Sequence, residues 1–432
     1  MEGGKGQGRR TPWRTIAACN VGVLLEGFDF IAYSAFSILF AKLYFPADSA
    51  LASTLLTFGG FATAYLVRPF GGLFWGVFAD RHGRRAALAW TAILMAVGTA
   101  VIALAPPYAA IGMAAPLLMI GARLIQGFAV SGEFASATAM LVEIAPPHRR
   151  ALYASSQMAT QVLTAGLAAA IVLGLYASLP QAAVESWGWR VVFGVGTLIG
   201  PLGWWIRSRM AESPEFAALA KTNKRNEAPL RTVLAEFPHE LLGMAGLIVI
   251  SSAALYLILI FLPLFAVREL GIAQTDAYVS TIVATVLEAG VILTAARWAD
   301  RRGALPVLAV GCLAYAACAY PLFAWLVAEP SFLRLVLVQT GAAMLLGVIS
   351  APLPLALSQL LPAQVRTTGV GLIYNLVGAV FGGLGPLIVT ALIAATGDLS
   401  APAWWAVGTG LVGAVAALAL WHGQKTRIGE SR

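Results

Sequence analysis

Apolar runs long enough to cross a bilayer recur twelve times along the chain, over 15–40, 50–76, 87–106, 112–142, 152–177, 190–208, 239–266, 274–297, 305–327, 333–360, 367–396 and 403–422. A helix of about 20 apolar residues spans the hydrocarbon layer, so the pattern predicts an all-α membrane protein of twelve transmembrane helices. The longest polar interruption, with the stretch KTNKRNEAP, falls between the sixth and seventh runs. It divides the chain into a tail (1–14), a six-helix bundle (15–208), a linker (209–238), a second six-helix bundle (239–422) and a short tail (423–432).

The halves repeat each other. EIAPPHRR carries Glu143, Pro146 and Arg150, and QLLPAQVR carries Gln359, Pro362 and Arg366 at matching places. ADRHG (Asp80, Arg81, Gly83) returns as ADRRG (Asp300, Arg301, Gly303). A duplicated bundle of this kind places a site at the seam between halves. Composition fits the bilayer: 59% of residues are hydrophobic and 11% charged, against about 25% charged in soluble domains. The net charge of +8 does not point to nucleic acid, because the bases sit in short segments between apolar runs. With both termini inside, outer segments hold only Lys42, Arg190, Arg268 and Arg334, Arg68 and Arg123 fall within spans, and the remaining bases, Arg207 among them, face the cytoplasm. That asymmetry is the positive-inside pattern and sets the orientation. Cys19, Cys312 and Cys318 all lie in apolar runs, and an odd count builds no disulfide framework.

The stretch GVFADRHGRR, with Gly76, Asp80, Arg81, Gly83, Arg84 and Arg85, resembles the signature loop of the major facilitator superfamily between spans 2 and 3. The resemblance implies the major facilitator fold, two pseudo-symmetric six-helix halves. Gly76 is expected to let two helices approach closely, and Asp80 to meet groups at neighbouring helix ends and lock the cytoplasmic side. In the second copy Ala296 replaces the first glycine and Ala304 the following arginine. The gating set expected on this basis is Gly76, Asp80, Arg81, Gly83, Arg84, Arg85, Glu143, Arg150, Asp300 and Arg366. RLIQGFAVSGE (Arg123, Gln126, Gly127, Gly132, Glu133), VRPFGG (Arg68, Pro69), WGWR (Trp187 to Arg190) and YNLVGAVFGG (Tyr374, Asn375) resemble the metabolite:proton symporter branch; Ser131 stands where a glycine is common. Within it, LLEGFDF (Leu24–Phe30) and ATGDLSAPAWW are similar to citrate and tricarballylate carriers. The resemblance implies a proton symporter for a tricarboxylate.

Depth adds an independent observation. At 1.5 Å per residue from a boundary near Thr15, Asp80 and Glu143, Glu26 lies roughly 16 Å deep, Asp29 roughly 21 Å, Arg68 roughly 18 Å and Glu133 roughly 15 Å. Ionisable groups there cost about 2.5–3.5 kcal/mol each on insertion scales, so they are expected to face water or one another. Arg68 is expected to hold a substrate carboxylate, with Gln126, Gln157, Gln161, Tyr374 and Asn375 as hydrogen-bonding partners. Glu26, Asp29 and Glu133 are the expected proton carriers, because mutual repulsion and burial both favour the neutral acid; the bland alternative is a static network in which Arg68 neutralises Glu133. Arg123, about 30 Å from the cytoplasmic end, meets an anion near the outer mouth or ties the outer gate. Glu288, on span 8, is either a fourth proton site or one side of an ion pair. All four histidines fall in loops or at helix ends, so carboxylates are expected to carry any coupling.

Coupling has a thermodynamic motive. Entry of a trianion against about 100 mV, inside negative, costs roughly 7 kcal/mol, an exclusion of about 10⁵-fold, and each co-transported proton cancels one charge. The chain is therefore expected to be an importer in the cell membrane, working as a monomer with protons, an organic anion and the lipid bilayer as partners. No catalytic residue, cofactor or metal is expected, since no metal-ligand spacing and no nucleophile–base arrangement falls in the midplane layer. The alternatives are a carrier for another organic acid (a dicarboxylate, a ketoacid or a shikimate-like compound), an osmolyte carrier, and a transporter-like membrane sensor.

Overall fold

The computed structural model describes residues 12–46, 63–221 and 228–430. Among them there is no strand; the chain is a succession of helices. Among the described residues, nine segments are long and apolar enough to cross a membrane. Numbered to follow the twelve runs, these are α3 (Arg84–Leu104), α4 (Ala114–Ile144), α5 (Pro147–Ser178), α7 (Pro238–Arg268), α8 (Gln274–Arg302), α9 (Ala304–Ala328), α10 (Phe332–Gln359), α11 (Arg366–Thr396) and α12 (Ala401–Lys425). Three more helices take the remaining runs: α1 (Pro12–Ala35), α2 (Arg68–His82) and α6 (Trp189–Ser208). Residues 47–62, and with them the first part of the second run, lie outside the described residues. The last helix continues to Glu430, through most of the segment read as a tail, and the linker contains two short helices, Pro214–Lys221 and Pro229–Glu236.

The helices are not uniform rods. α4 loosens at Ser131–Gly132, and π-helical turns interrupt α7 at Leu257–Phe261 and α11 at Gly378–Gly383. Such turns release backbone groups from the regular ladder and bend a helix locally. Two hairpins are tight because a glycine takes a backbone angle that other residues avoid: Gly83 (φ 108°) between α2 and α3, and Gly303 (φ 91°) between α8 and α9. They occupy equivalent places in the two repeats.

Within each half, neighbouring helices bury alanine-rich faces. α6 lies on α3, α1 on α5, α9 on α12 and α8 on α10. The halves meet along two pairs, α5 with α8 and α2 with α11. Glycine makes the second approach possible: a Cβ at Gly76 would stand 2.7 Å from the Thr368 Cα, and Gly72 faces the Gly371 carbonyl and the Asn375 side chain. Cys19 and Cys312 are buried, whereas Cys318 is exposed on the outer face of α9.

Candidate functional site

Burying a charge without a partner costs several kcal/mol, and most of the deep charges here have found partners. On α1, Asp29 is 2% exposed. Its Oδ2 accepts from Arg123 Nη1 at 3.0 Å, and its Oδ1 from Gln126 Nε2 at 2.7 Å and Thr99 Oγ1 at 3.1 Å. Arg123 Nη1 also donates to Gln126 Oε1 at 2.9 Å, and its guanidinium lies 4.0 Å over the Tyr33 ring. Three helices, α1, α3 and α4, thus converge on one carboxylate. Arg123 reaches it through a single nitrogen among the described contacts, not through a two-point fork.

Glu133 has different company. In the alternative reading Arg68 neutralises it; the partner found is Arg207 of α6. Arg207 Nη1 meets Glu133 Oε2 at 3.0 Å and Nη2 meets Oε1. The remaining donors go to backbone carbonyls: Nε to Ala18 (2.9 Å), Nη1 to Leu88 (2.8 Å) and Nη2 to Cys19 (3.1 Å). All five guanidinium N–H groups are then used. Thr91 adds a hydrogen bond to Glu133 Oε2 at 3.2 Å. A small cavity beside the pair is lined by Gly22, Thr91, Met95 and Ala129 as well as the pair itself. It lies within the first bundle and not at the seam.

One placement made from the sorting of bases is corrected. Arg207 is no cytoplasmic base; it is fully buried. Arg123, about 30 Å from the cytoplasmic end by the depth count, bonds Asp29. The depth count sets Arg123 and Asp29 apart because α1 starts at Pro12, which lifts Asp29 by roughly 4–5 Å, because α4 is broken at Ser131–Gly132, and because an arginine side chain reaches several ångströms along its helix. The Glu26 side chain lies outside the described residues.

The other polar candidates are spread along the seam. Arg68 is buried on α2, 4.3 Å over the Tyr65 ring, and the Tyr65 hydroxyl bonds that of Tyr256 on α7. Tyr374 of α11 stacks on Phe134 of α4, centroids 3.8 Å apart and rings within 6° of parallel. Asn375 spends its amide on backbone, Nδ2 donating to Ser131 O (2.8 Å) and Gly371 O (2.7 Å), so in this conformation it clamps helices and offers no donor to a ligand. Gln157 donates to Thr138 within the first bundle. Gln161 is half-buried on α5, with its backbone near Gly27. The structure gathers Asp29, Arg123 and Gln126; it does not bring Glu133, Gln157 or Asn375 to them.

At one end of the molecule the motif residues meet across the halves. Asp80 Oδ2 accepts from the Thr368 backbone N–H and hydroxyl, both at 2.8 Å, and Arg84 stands 3.5 Å from Oδ1. Arg84 donates to Ala363 O at 2.7 Å and approaches Glu143 at 3.4 Å; Arg366 reaches Glu143 at 2.8 Å and Glu215 at 3.0 Å. The second repeat does the same in mirror order. Asp300 accepts from Ala151 N (2.7 Å) and Leu152 N (3.2 Å). Each aspartate therefore caps the N-terminus of a helix from the other half, where unpaired N–H groups and the helix dipole favour an anion. Arg85 is exposed and donates to Met210 O, while its backbone N–H meets Glu212. Arg81 is exposed, and Arg150 enters no ion pair among the described residues. Thr99, Thr368 and Arg207 were not foreseen. One sequence signal was present for Arg207: it and Arg209 are two apart, hence about 200° apart on a helix, so only one of them can face out.

A model of the Major Facilitator Superfamily matches residues 20–386. The chain belongs to this superfamily. A citrate-proton symporter of Klebsiella pneumoniae is 34% identical over 93% of this chain and 90% of its own, and one of Salmonella typhi is 33% identical over 91% of both. A proline/betaine transporter of Staphylococcus haemolyticus is 28% identical over 94% of this chain and 86% of its own. Among solved structures, a proton:xylose symporter bound to 6-bromo-6-deoxy-D-glucose superposes with a TM-score of 0.78 at 17% identity, over 95% of each chain. The superfamily fold and these relatives are those of multi-pass membrane transporters, not enzymes.

Proposed function

We propose that this protein is a proton-coupled importer of a tricarboxylate such as citrate, working by alternating access in the plasma membrane with both termini in the cytoplasm. The observation that carries the proposal is the buried Asp29–Arg123 pair. A proton on Asp29 cancels its hold on Arg123, and the guanidinium then turns to a substrate carboxylate; loss of the proton restores the pair and expels the anion. Arg68 and Tyr374, at the seam, supply further contacts to the substrate. Glu133, gripped by both terminal nitrogens of an Arg207 whose other donors are all taken by backbone carbonyls, serves as an anchor and not as a carrier. The aspartate caps at Asp80 and Asp300 close the cytoplasmic side, and their release lets the halves rock. The 34% and 33% identities to citrate-proton symporters support the choice of a tricarboxylate.

The test is uptake of radiolabelled citrate and tricarballylate by vesicles holding the purified protein. Accumulation is expected only with an imposed inward proton gradient; equal uptake without it defeats the coupling. The 28% identity to a proline/betaine transporter favours a second reading as an osmolyte carrier. Competition by proline and betaine, but not by tri- or dicarboxylates, decides for that reading.

A further inference from the structure

Glu288 of α8 breaks the pattern of paired acids. Asp29, Asp80, Glu133 and Glu143 each have an arginine within 3.5 Å. Glu288 is fully buried, and among the described residues neither of its carboxyl oxygens has a hydrogen-bond partner and no cation pairs with it. Its place can be fixed by helix geometry. It lies seven residues beyond Thr281, hence within about 20° of the same face, and Thr281 Oγ1 meets Gln339 Nε2 of α10 at 3.1 Å. It lies one turn beyond Thr285, which abuts Gly166 of α5. Gly347 of α10 packs against Glu288's own carbonyl. The carboxyl therefore enters the groove where α8 meets α10 of its own half and α5 of the other.

No charged group reaches it from the packed elements. The contacts Asp300–Ala151 and Thr285–Gly166 set Glu288 level with Leu163 on antiparallel α5. Tyr153, Arg150 and Tyr176 of that helix are then roughly 15–20 Å away. On α10 the ionisable residue is Arg334, roughly 20 Å from the level of Gly347, and on the end of α7 packed against α8 it is Arg268, six residues ahead of Gln274 and so roughly 20 Å from Glu288 along the axis. On α8 itself the nearest base is Arg297, exposed and bonded to Leu293 O. Tyr315 and Cys312 of α9 make no hydrogen bond to Glu288 among the described contacts. An isolated carboxylate in such surroundings is penalised by several kcal/mol, a neutral carboxyl by far less.

We propose that Glu288 is a second proton-binding site, lodged in the C-terminal half, sealed with its proton when α5 and α8 are packed together and exchanging it when that seam parts and water enters. The proposal rests on the alternating-access reading above and deepens it: Asp29 titrates against an arginine, Glu288 against burial alone. A lone carboxyl suits a proton, which needs one oxygen, better than a metal cation, which needs several.

Infrared spectroscopy of the full chain in lipid, near neutral pH and without substrate, tests the site directly. A protonated-carboxyl C=O band that shifts in heavy water is expected in the wild type and absent in Glu288→Gln and Glu288→Met. Identical bands in all three overturn the proposal. In vesicles with a gradient of one pH unit, losing one coupled proton lowers the limiting citrate accumulation about tenfold. Glu288→Gln is expected to show that loss while exchange of external for internal citrate persists; an unchanged accumulation ratio overturns the site. Uphill uptake that follows a sodium gradient and vanishes in Glu288→Gln overturns the assignment of the proton. The infrared band is read without substrate, so a wild-type protein that ignores citrate defeats the tricarboxylate reading and leaves this test standing.

Discussion

Asp29 and Glu133 both meet burial with a guanidinium, and the geometry of each pair assigns it a different role. Arg207 grips Glu133 by two nitrogens and gives its other donors to carbonyls of Ala18, Cys19 and Leu88, so it ties α1, α3, α4 and α6 together. Removing one member of a buried pair leaves the other uncompensated, at about 3–5 kcal/mol. Arg207→Met is therefore expected to lower the thermal midpoint of the purified protein sharply, and Glu133→Gln in the same chain to recover most of the loss. Thermal unfolding in detergent checks both. Asp29 is held through one nitrogen of Arg123, with Thr99 and Gln126 on its other oxygen. Asparagine there mimics the protonated acid. Asp29→Asn is expected to abolish gradient-driven citrate accumulation while exchange continues; accumulation at the wild-type level would show that Asp29 does not couple.

At the scale of the element, α2 and α11 are close enough that their shape decides which conformation forms. Gly76 sits against the Thr368 backbone, and a larger residue cannot enter without pushing α11 away. Overpacking of this kind costs about 1–3 kcal/mol, charged only against the closed arrangement. Gly76→Val is expected to fold normally but to favour opening at the Asp80 end. A cysteine introduced at Thr368 then reacts with a polar thiol reagent roughly tenfold faster for each 1.4 kcal/mol of bias. An unchanged labelling rate would mean that α2 and α11 do not part there. The breaks in α4, α7 and α11 lie at the levels of Ser131, Leu257 and Gly378, where the regular hydrogen-bond ladder is interrupted.

The whole molecule is a duplicated bundle whose two copies brace each other by the same device, an aspartate capping a helix of the opposite half. Hydrogen bonds to a charged acceptor are worth about 1.5–3 kcal/mol each. Asp80→Asn and Asp300→Asn are each expected to raise reagent access at that end, and the double variant to combine both effects, since separate sites add. A double variant no more accessible than either single one would show that one cap alone holds the halves. Much of this was legible in the chain. Run length and the recurrence of ADRHG as ADRRG are local properties, readable because a bilayer demands about 20 apolar residues from every span and the duplication left its residues in place. The family and the Asp80 loop were legible through the resemblance of GVFADRHGRR to a known signature. Partner choice was not. Whether Arg123 meets Asp29, whether Arg207 faces lipid headgroups or Glu133, and whether Glu288 has any cation at all depend on helix azimuth, on breaks such as Ser131–Gly132 and on side-chain reach. A linear sequence carries those quantities only as possibilities, and packing against helices distant in the chain selects among them.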